Sequence, residues 1–137
     1  MPVFLAYIDG ASHGNPGEAG IGVVIYNEKR EPLRAFGYFL GKLTNNMAEY
    51  MAAILALMAL RDLGADGAII YSDSELMVRQ LNGEYRVKNE KLLPFYLQVK
   101  FFLRSFQEVK FCHLNREGNK EADRLANRAI SEKGYVS

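Results

Sequence analysis

The feature that most constrains the fold is a change of hydrophobic period near residue 44. Before it lie three short apolar runs rich in strand formers, at residues 3–9, 21–27 and 33–40, separated by glycine-rich or polar turn chemistry. Such short turns join antiparallel neighbours, so the first third of the chain predicts a β-meander. After it the spacing becomes helical. Met47, Met51, Ile54, Leu55 and Met58 fall on one face, with Thr44, Asn45 or Asn46 available as a cap and Gly64 placed to end the helix. A buried strand follows at 68–72, then a short helix over 74–81 that Asn82-Gly83 breaks. Residues 90–105 place Leu92, Phe95, Tyr96, Val99, Phe102 and Leu103 on one helical face, with Pro94 tolerable near the first turn. A strand over 107–114 precedes a last helix opened by Gly118-Asn119, with Ala122, Leu125, Ala126, Ala129 and Ile130 inward. The order βββαβααβα predicts an α/β domain with a mixed sheet, the first three strands antiparallel and the later ones parallel.

Composition narrows the class. At 137 residues the chain suits one domain, residues 1–137, and 49% apolar with 24% charged residues excludes disorder and fibrous repeats. A single Cys excludes an internal disulfide framework and a thiolate zinc cluster, and points to a reducing, cytoplasmic setting. Cys112 itself reads as a small buried hydrophobe. The longest strongly apolar stretch, residues 51–60, is too short to span a bilayer, and the first residues lack the basic segment of a signal peptide. No membrane association is expected.

The chemistry sits where strands end. Asp9 closes the first strand and Asp73 the fourth, so if those strands are parallel neighbours their carboxylates emerge together. Glu49 falls in the first turn or so of the long helix and Asp123 in the first turn of the last one, where the helix dipole favours a negative charge. Any one of these acids alone reads equally as a turn or capping residue. Converging, they would repel one another and be driven to protonate unless a cation intervened. Oxygen donors without Cys and with few His suit Mg²⁺ or Mn²⁺ rather than zinc. Two such ions about 4 Å apart are the standard device for in-line phosphoryl displacement. The glycine-rich stretch 10–20 lacks the Lys-Ser/Thr ending of a phosphate-binding P-loop and leads into a strand, so it reads as a tight strand-to-strand turn allowing close backbone approach.

Four stretches carry a family resemblance: residues 7–17 (YIDGASHGNPG), 44–50 (TNNMAEY), 71–83 (YSDSELMVRQLNG) and 113–127 (HLNREGNKEADRLAN). Together, in this order and over nearly the whole length, they resemble ribonuclease H of type 1. The resemblance implies a ribonuclease H-like fold, with a five-stranded mixed sheet and helices on both faces. It implies an endoribonuclease that hydrolyses the RNA strand of RNA/DNA hybrids with two Mg²⁺ or Mn²⁺ ions, leaving 5′-phosphate and 3′-hydroxyl ends. The family's metal set falls on Asp9, Glu49, Asp73 and Asp123. Asp9 would bridge both ions, Asp73 and Asp123 would each complete one, and Glu49 would also accept from the ribose 2′-hydroxyl that distinguishes RNA from DNA. Substrate contacts implied by the resemblance fall on Asn15 and Asn45 beside the RNA strand, on Asn46 and Gln80 nearer the DNA strand, and on Gly10 and Ser74. Two residues compete for an auxiliary catalytic role: Arg116, seven residues before Asp123, is taken first, and His113, ten before it, second.

Departures shape the expectation. The stretch 81–91 is too short for the basic, Trp-bearing protrusion of longer members, the chain has no Trp, and Glu75 stands where many members carry Gln. No separate hybrid-binding domain is expected, and a side activity on double-stranded RNA fits such short members. A monomer with no obligatory protein partner is the default. A junction resolvase or transposase-like nuclease, or a non-catalytic module, are the alternatives; the tandem Asn45-Asn46 and the intact four acids weigh against them. The formal charge of +1 at first argues against a polyanionic substrate. Yet residues 1–75 carry 5 basic and 9 acidic groups and residues 76–137 carry 12 and 7, so a basic half is masked by the acids of the site. Few cations remain for phosphates, which predicts modest affinity with a shallow salt dependence.

Overall fold

The computed structural model describes residues 2–137. Strands β1 (Val3–Gly14), β2 (Gly17–Tyr26) and β3 (Pro32–Leu43) form the expected meander and lead into α1 (Asn45–Asp62). Then come β4 (Gly67–Ser72), α2 (Glu75–Leu81), α3 (Leu93–Leu103), β5 (Glu108–His113), a 3-10 turn (Arg116–Asn119), α4 (Lys120–Glu132) and β6 (Tyr135–Val136). The strand order is β5-β4-β1-β2-β3-β6, antiparallel from β1 to β6 through β2 and β3, and parallel from β1 through β4 to β5. The sheet therefore has six strands, not five. The sixth pairs Val136 and Tyr135 with Gly37 and Tyr38, and two residues are too few to show a period in sequence.

The sheet separates two apolar layers. On one face Ala6, Ile8, Ile21, Val23, Ile25 and Ile70 meet α1, α2 and α3; on the other Val24 meets Leu125 and Ala129 of α4 together with Val136. All five residues expected on the inner side of α4 are buried. The face of α1 differs from the expectation. Of the expected residues only Ile54 is buried, beside Ala48, Ala52, Ala53, Ala56, Leu57 and Leu60, whereas Met47, Met51 and Leu55 lie at the margin and Met58 is 43% exposed. Alanines let the helix axis lie close on the sheet, and the larger side chains are displaced to its flanks.

The glycine-rich stretch is the expected tight strand-to-strand turn, but the turn itself is narrower than residues 10–20. β1 runs on to Gly14 and β2 starts at Gly17, so only Asn15 and Pro16, joined by a cis peptide bond, turn the chain. Cys112 is half-buried rather than fully enclosed. Among the described residues no helix is long and apolar enough to cross a membrane.

Candidate active site

The β1–β4 pairing ends at Ile8 and Ser72, so Asp73 follows the end of β4 and Asp9 lies beside it at the first residue past that pairing. Asp9 does not close β1, which runs on to Gly14 paired with β2. Thr44 caps α1 by accepting from the Met47 amide at 3.2 Å, which starts the helix at Asn45 and puts Glu49 in its second turn, not its first. What fixes Glu49 is a contact across the layers: its Oε1 accepts from the Gly10 amide at 2.8 Å. That approach needs glycine, because a Cβ on residue 10 would overlap the Ala48 carbonyl carbon and oxygen. A second glycine seats α4. Gly22 pairs with Asp9 across β1 and β2, and a Cβ there would overlap the Ala122 carbonyl, so α4 lies against the sheet where it delivers Asp123 to Asp9.

Asp9, Glu49 and Asp73 each offer a carboxylate oxygen within 4.8 Å of the others. Asp123, exposed on the first turn of α4, reaches Asp9 by a side-chain hydrogen bond. Asp9 and Glu49 are buried. Burial, then the neighbouring Glu49 and Asp73 charges, push the Asp9 carboxyl up to about 9. Burial pushes Glu49 up to about 8 against the opposing Gly10 amide. Burial also raises Asp73, opposed by Arg116, His113 and a hydrogen bond from Asn119. A cluster of hard oxygen donors that cannot all ionise unaided has the donor set and the charge deficit of a divalent-cation site.

The remaining site candidates distribute unequally. Arg116, at the start of the 3-10 turn, acts electrostatically on both Glu49 and Asp73, whereas His113, at the end of β5, acts on Asp73. Asn15 is exposed at the hairpin tip, its Oδ1 accepting from the Asn45 amide at 3.1 Å, and Asn45 and Asn46 are exposed on the first turn of α1. Ser74 caps α2 by accepting from the Met77 amide at 3.3 Å and is half-buried beside Asp73. Gln80 is turned into the core: it is buried and its Oε1 accepts from the Tyr50 hydroxyl at 2.6 Å.

Residues 7–129 match the model of the reverse transcriptase-like family. The crystal structure of the type 1 ribonuclease H from Halobacterium salinarum superposes with a TM-score of 0.92 at 36% identity, covering 95% of this chain and 98% of that one. The chain belongs to the type 1 ribonuclease H family. LC11-RNase H1, solved in complex with an RNA/DNA hybrid, is similar at 39% identity and a TM-score of 0.90, over 95% of this chain and 98% of that one. A bifunctional protein of Mycobacterium tuberculosis is 38% identical over 123 residues, which are 89% of this chain. The chain spans about a third (34%) of the length of that relative.

Three polar residues of this ribonuclease H site carried no sequence signal of their own. Asn119 read only as a helix opener. It is buried, donates from Nδ2 to the Ile8 carbonyl at 2.7 Å and hydrogen-bonds Asp73, tying the segment before α4 to the ends of β1 and β4. Asn127 donates to Asp123 and meets His13 across the hairpin. The spacing of Asn127 from Asp123, one helical turn, was the available hint, and it gains meaning once Asp123 is seen to reach the acid cluster.

Proposed function

We propose that the chain is an endoribonuclease that cuts the RNA strand of RNA/DNA hybrids as a single cytoplasmic, monomeric domain, with Mg²⁺ or Mn²⁺ as cofactor. The observation that carries this reading is the convergence of four carboxylates on one sheet edge, two of them buried and held above the usual carboxylate range. The structural likeness to a ribonuclease H solved with a hybrid supports the substrate class.

In this reading Asp9, Glu49, Asp73 and Asp123 would hold two divalent cations. The ions would lower the pKa of a bound water and stabilise the charge that develops on the phosphate and the leaving oxygen. Water oxygen attacks phosphorus in line and the P–O3′ bond breaks. The 3′-oxygen leaves with a proton and the phosphate stays on the 5′ end. Glu49, fixed by the Gly10 amide, is the acid placed to accept from a ribose 2′-hydroxyl as well. Asn15 and Asn45, joined at the hairpin tip, and the neighbouring Asn46 would line the groove. Gly10 and Ser74 contribute through backbone placement and helix capping. Gln80 has its Oε1 committed to the Tyr50 hydroxyl, which leaves its amide nitrogen as the group to meet the substrate. Arg116 is the better auxiliary residue because its charge acts on two of the four acids.

The test is cleavage of an end-labelled hybrid in Mg²⁺ and in Mn²⁺, beside duplex RNA and a DNA junction. The RNA strand of the hybrid is cut, and Asp9→Asn lowers kcat by about 10³-fold or more while hybrid binding persists. In the same assay Arg116→Ala lowers kcat more than His113→Ala. An uncut hybrid in both metals, or full activity of Asp9→Asn, would overturn the reading.

A further inference from the structure

The exposed acid of the cluster, Asp123, is held by a side-chain chain of contacts that reaches the β1–β2 hairpin. Asn127, one turn further along α4 and half-buried, places its Nδ2 at 3.0 Å from the Asp123 carbonyl oxygen and 3.2 Å from the Asp123 carboxylate Oδ1. Both of those oxygens only accept, so the amide nitrogen must face them and the amide oxygen must face outward. There Asn127 Oδ1 lies 2.8 Å from His13 Nε2. An amide oxygen cannot donate, so His13 donates from Nε2, and the amide is locked in one orientation from both ends.

His13 sits on β1 two residues before Asn15, whose Oδ1 accepts from the Asn45 amide at the start of α1. Ser12 adds a second tie, donating from Oγ to the Leu43 carbonyl at 2.8 Å. The hairpin tip thus bonds to α4 on one side and to the start of α1 on the other, the two helices that carry Asp123 and Glu49. His13 is not part of the Asp9, Glu49 and Asp73 group of candidate ligands.

We propose that Asn127 is a positioning residue for the Asp123 carboxylate, with His13 as its anchor on the hairpin. The inference rests on the reading of Asp123 as a metal-holding group. Asn127 fixes the carboxylate by donation, and His13 fixes Asn127. The hairpin that carries the proposed substrate contact Asn15 and the helix that carries Asp123 therefore move as one unit. Groups that orient metal-holding side chains typically contribute 10- to 100-fold in metal affinity or activity.

The experiment uses the full chain and reads Mg²⁺ in two independent ways: the rise in melting temperature on adding Mg²⁺ without nucleic acid, and the Mg²⁺ dependence of hybrid cleavage. Asn127→Ala raises the half-saturating Mg²⁺ about 10-fold in both and lowers kcat, with KM for the hybrid unchanged. His13→Ala shifts Mg²⁺ in the same direction by less, and His13→Gln restores it, because the Gln amide can donate to Asn127 Oδ1. An unchanged Mg²⁺ requirement in Asn127→Ala, or a change confined to KM, overturns the proposal. If Asn127→Ala fails to fold, the exposed His13 variants decide: no Mg²⁺ shift in His13→Ala overturns it, and loss with rescue by Gln sustains it. The thermal readout needs no cleavage, so a wild-type chain that binds Mg²⁺ but leaves hybrid uncut would sink the activity while leaving this inference standing.

Discussion

The two helices that complete the acid cluster hold their carboxylates by different means. Glu49 comes from α1, whose alanine face lies flush on the sheet. It is buried, and a backbone amide of β1 fixes it at 2.8 Å. Asp123 comes from α4, is exposed, and is held by a side chain that is itself held by another. One half of the site is part of the core and cannot move without disturbing it. The other half carries its carboxylate at the surface, tied to the hairpin only through side chains, so it is the half expected to adjust. For the proposed centre, which would take up ions, receive a polyanionic strand and let a product go, a rigid half would give preorganisation and an adjustable half exchange.

The largest effect should come from the two glycines that seat the helices. Gly10→Ala drives a methyl into the Ala48 carbonyl, and Gly22→Ala drives one into the Ala122 carbonyl; the obstacles are backbone, which cannot rotate away. Overpacking of this kind costs about 1–3 kcal/mol or more, so each variant should melt roughly 5–12 °C lower. The comparison predicts a difference in function. Gly10→Ala displaces Glu49 and should abolish Mg²⁺-induced stabilisation. Gly22→Ala displaces the adjustable half and should weaken it while leaving a measurable response. Equal losses of the Mg²⁺ response would show that both halves are equally rigid.

Much of this was legible from the chain. Asp9 and Asp73 stand after apolar runs that read as buried strands, and the expectation that holds if those strands are parallel neighbours, two carboxylates side by side, is met by the β1–β4 pairing. The inner side of α4 was legible because Ala122, Leu125, Ala126, Ala129 and Ile130 contrast with a charged outer side. The face of α1 was not, because nearly every residue from 47 to 60 is apolar. Period then says nothing about which side a helix buries, and the small alanines, not the large methionines, meet the sheet. The β1–β2 turn was legible, but its width was not, because glycines that serve close helix approach look in sequence like glycines of the turn itself. Gln80 was placed at the substrate by the family resemblance alone, and the structure buries it. The Tyr50 hydroxyl that satisfies it comes from 30 residues away and leaves no local mark.

A smaller effect separates the halves by titration. Without a cation, Asp9 keeps its proton up to about pH 9 and Glu49 up to about pH 8 in the folded chain, whereas unfolded they release it near 3.8 and 4.5. Between those limits the folded state binds more protons than the unfolded state, so raising the pH favours unfolding. In EDTA the melting temperature should therefore fall between pH 5 and pH 8, by about 5 °C after allowance for relaxation around the buried charges. Mg²⁺ replaces the protons, so its stabilising effect should grow with pH over the same window. Asp9→Asn should flatten the EDTA profile, because burial and the neighbouring charges act most strongly there, and Asp123→Asn should flatten it less. A profile that Asp9→Asn leaves unchanged would place the stored repulsion elsewhere.

The smallest effect tests what holds Glu49 in place. Thr44 caps α1 and its loss in Thr44→Ala should cost about 1 kcal/mol, the usual value for a cap that accepts one orphan amide hydrogen. If the first turn of α1 positioned Glu49, that loss would also loosen the metal site. The structure places the anchor elsewhere: Glu49 lies in the second turn, where intrahelical bonds are complete, and the Gly10 amide holds its carboxylate from the sheet. Thr44→Ala should therefore melt about 4 °C lower and still require the same Mg²⁺ concentration within about twofold. The contrast with Asn127→Ala is the informative part. The cap variant is expected to lose stability and keep its metal, and the Asn127 variant to keep stability and lose metal affinity. A shared loss of both properties in the cap variant would mean that frayed α1 reaches Glu49, and that the rigid half of the site starts further from its helix end than Gly10 implies.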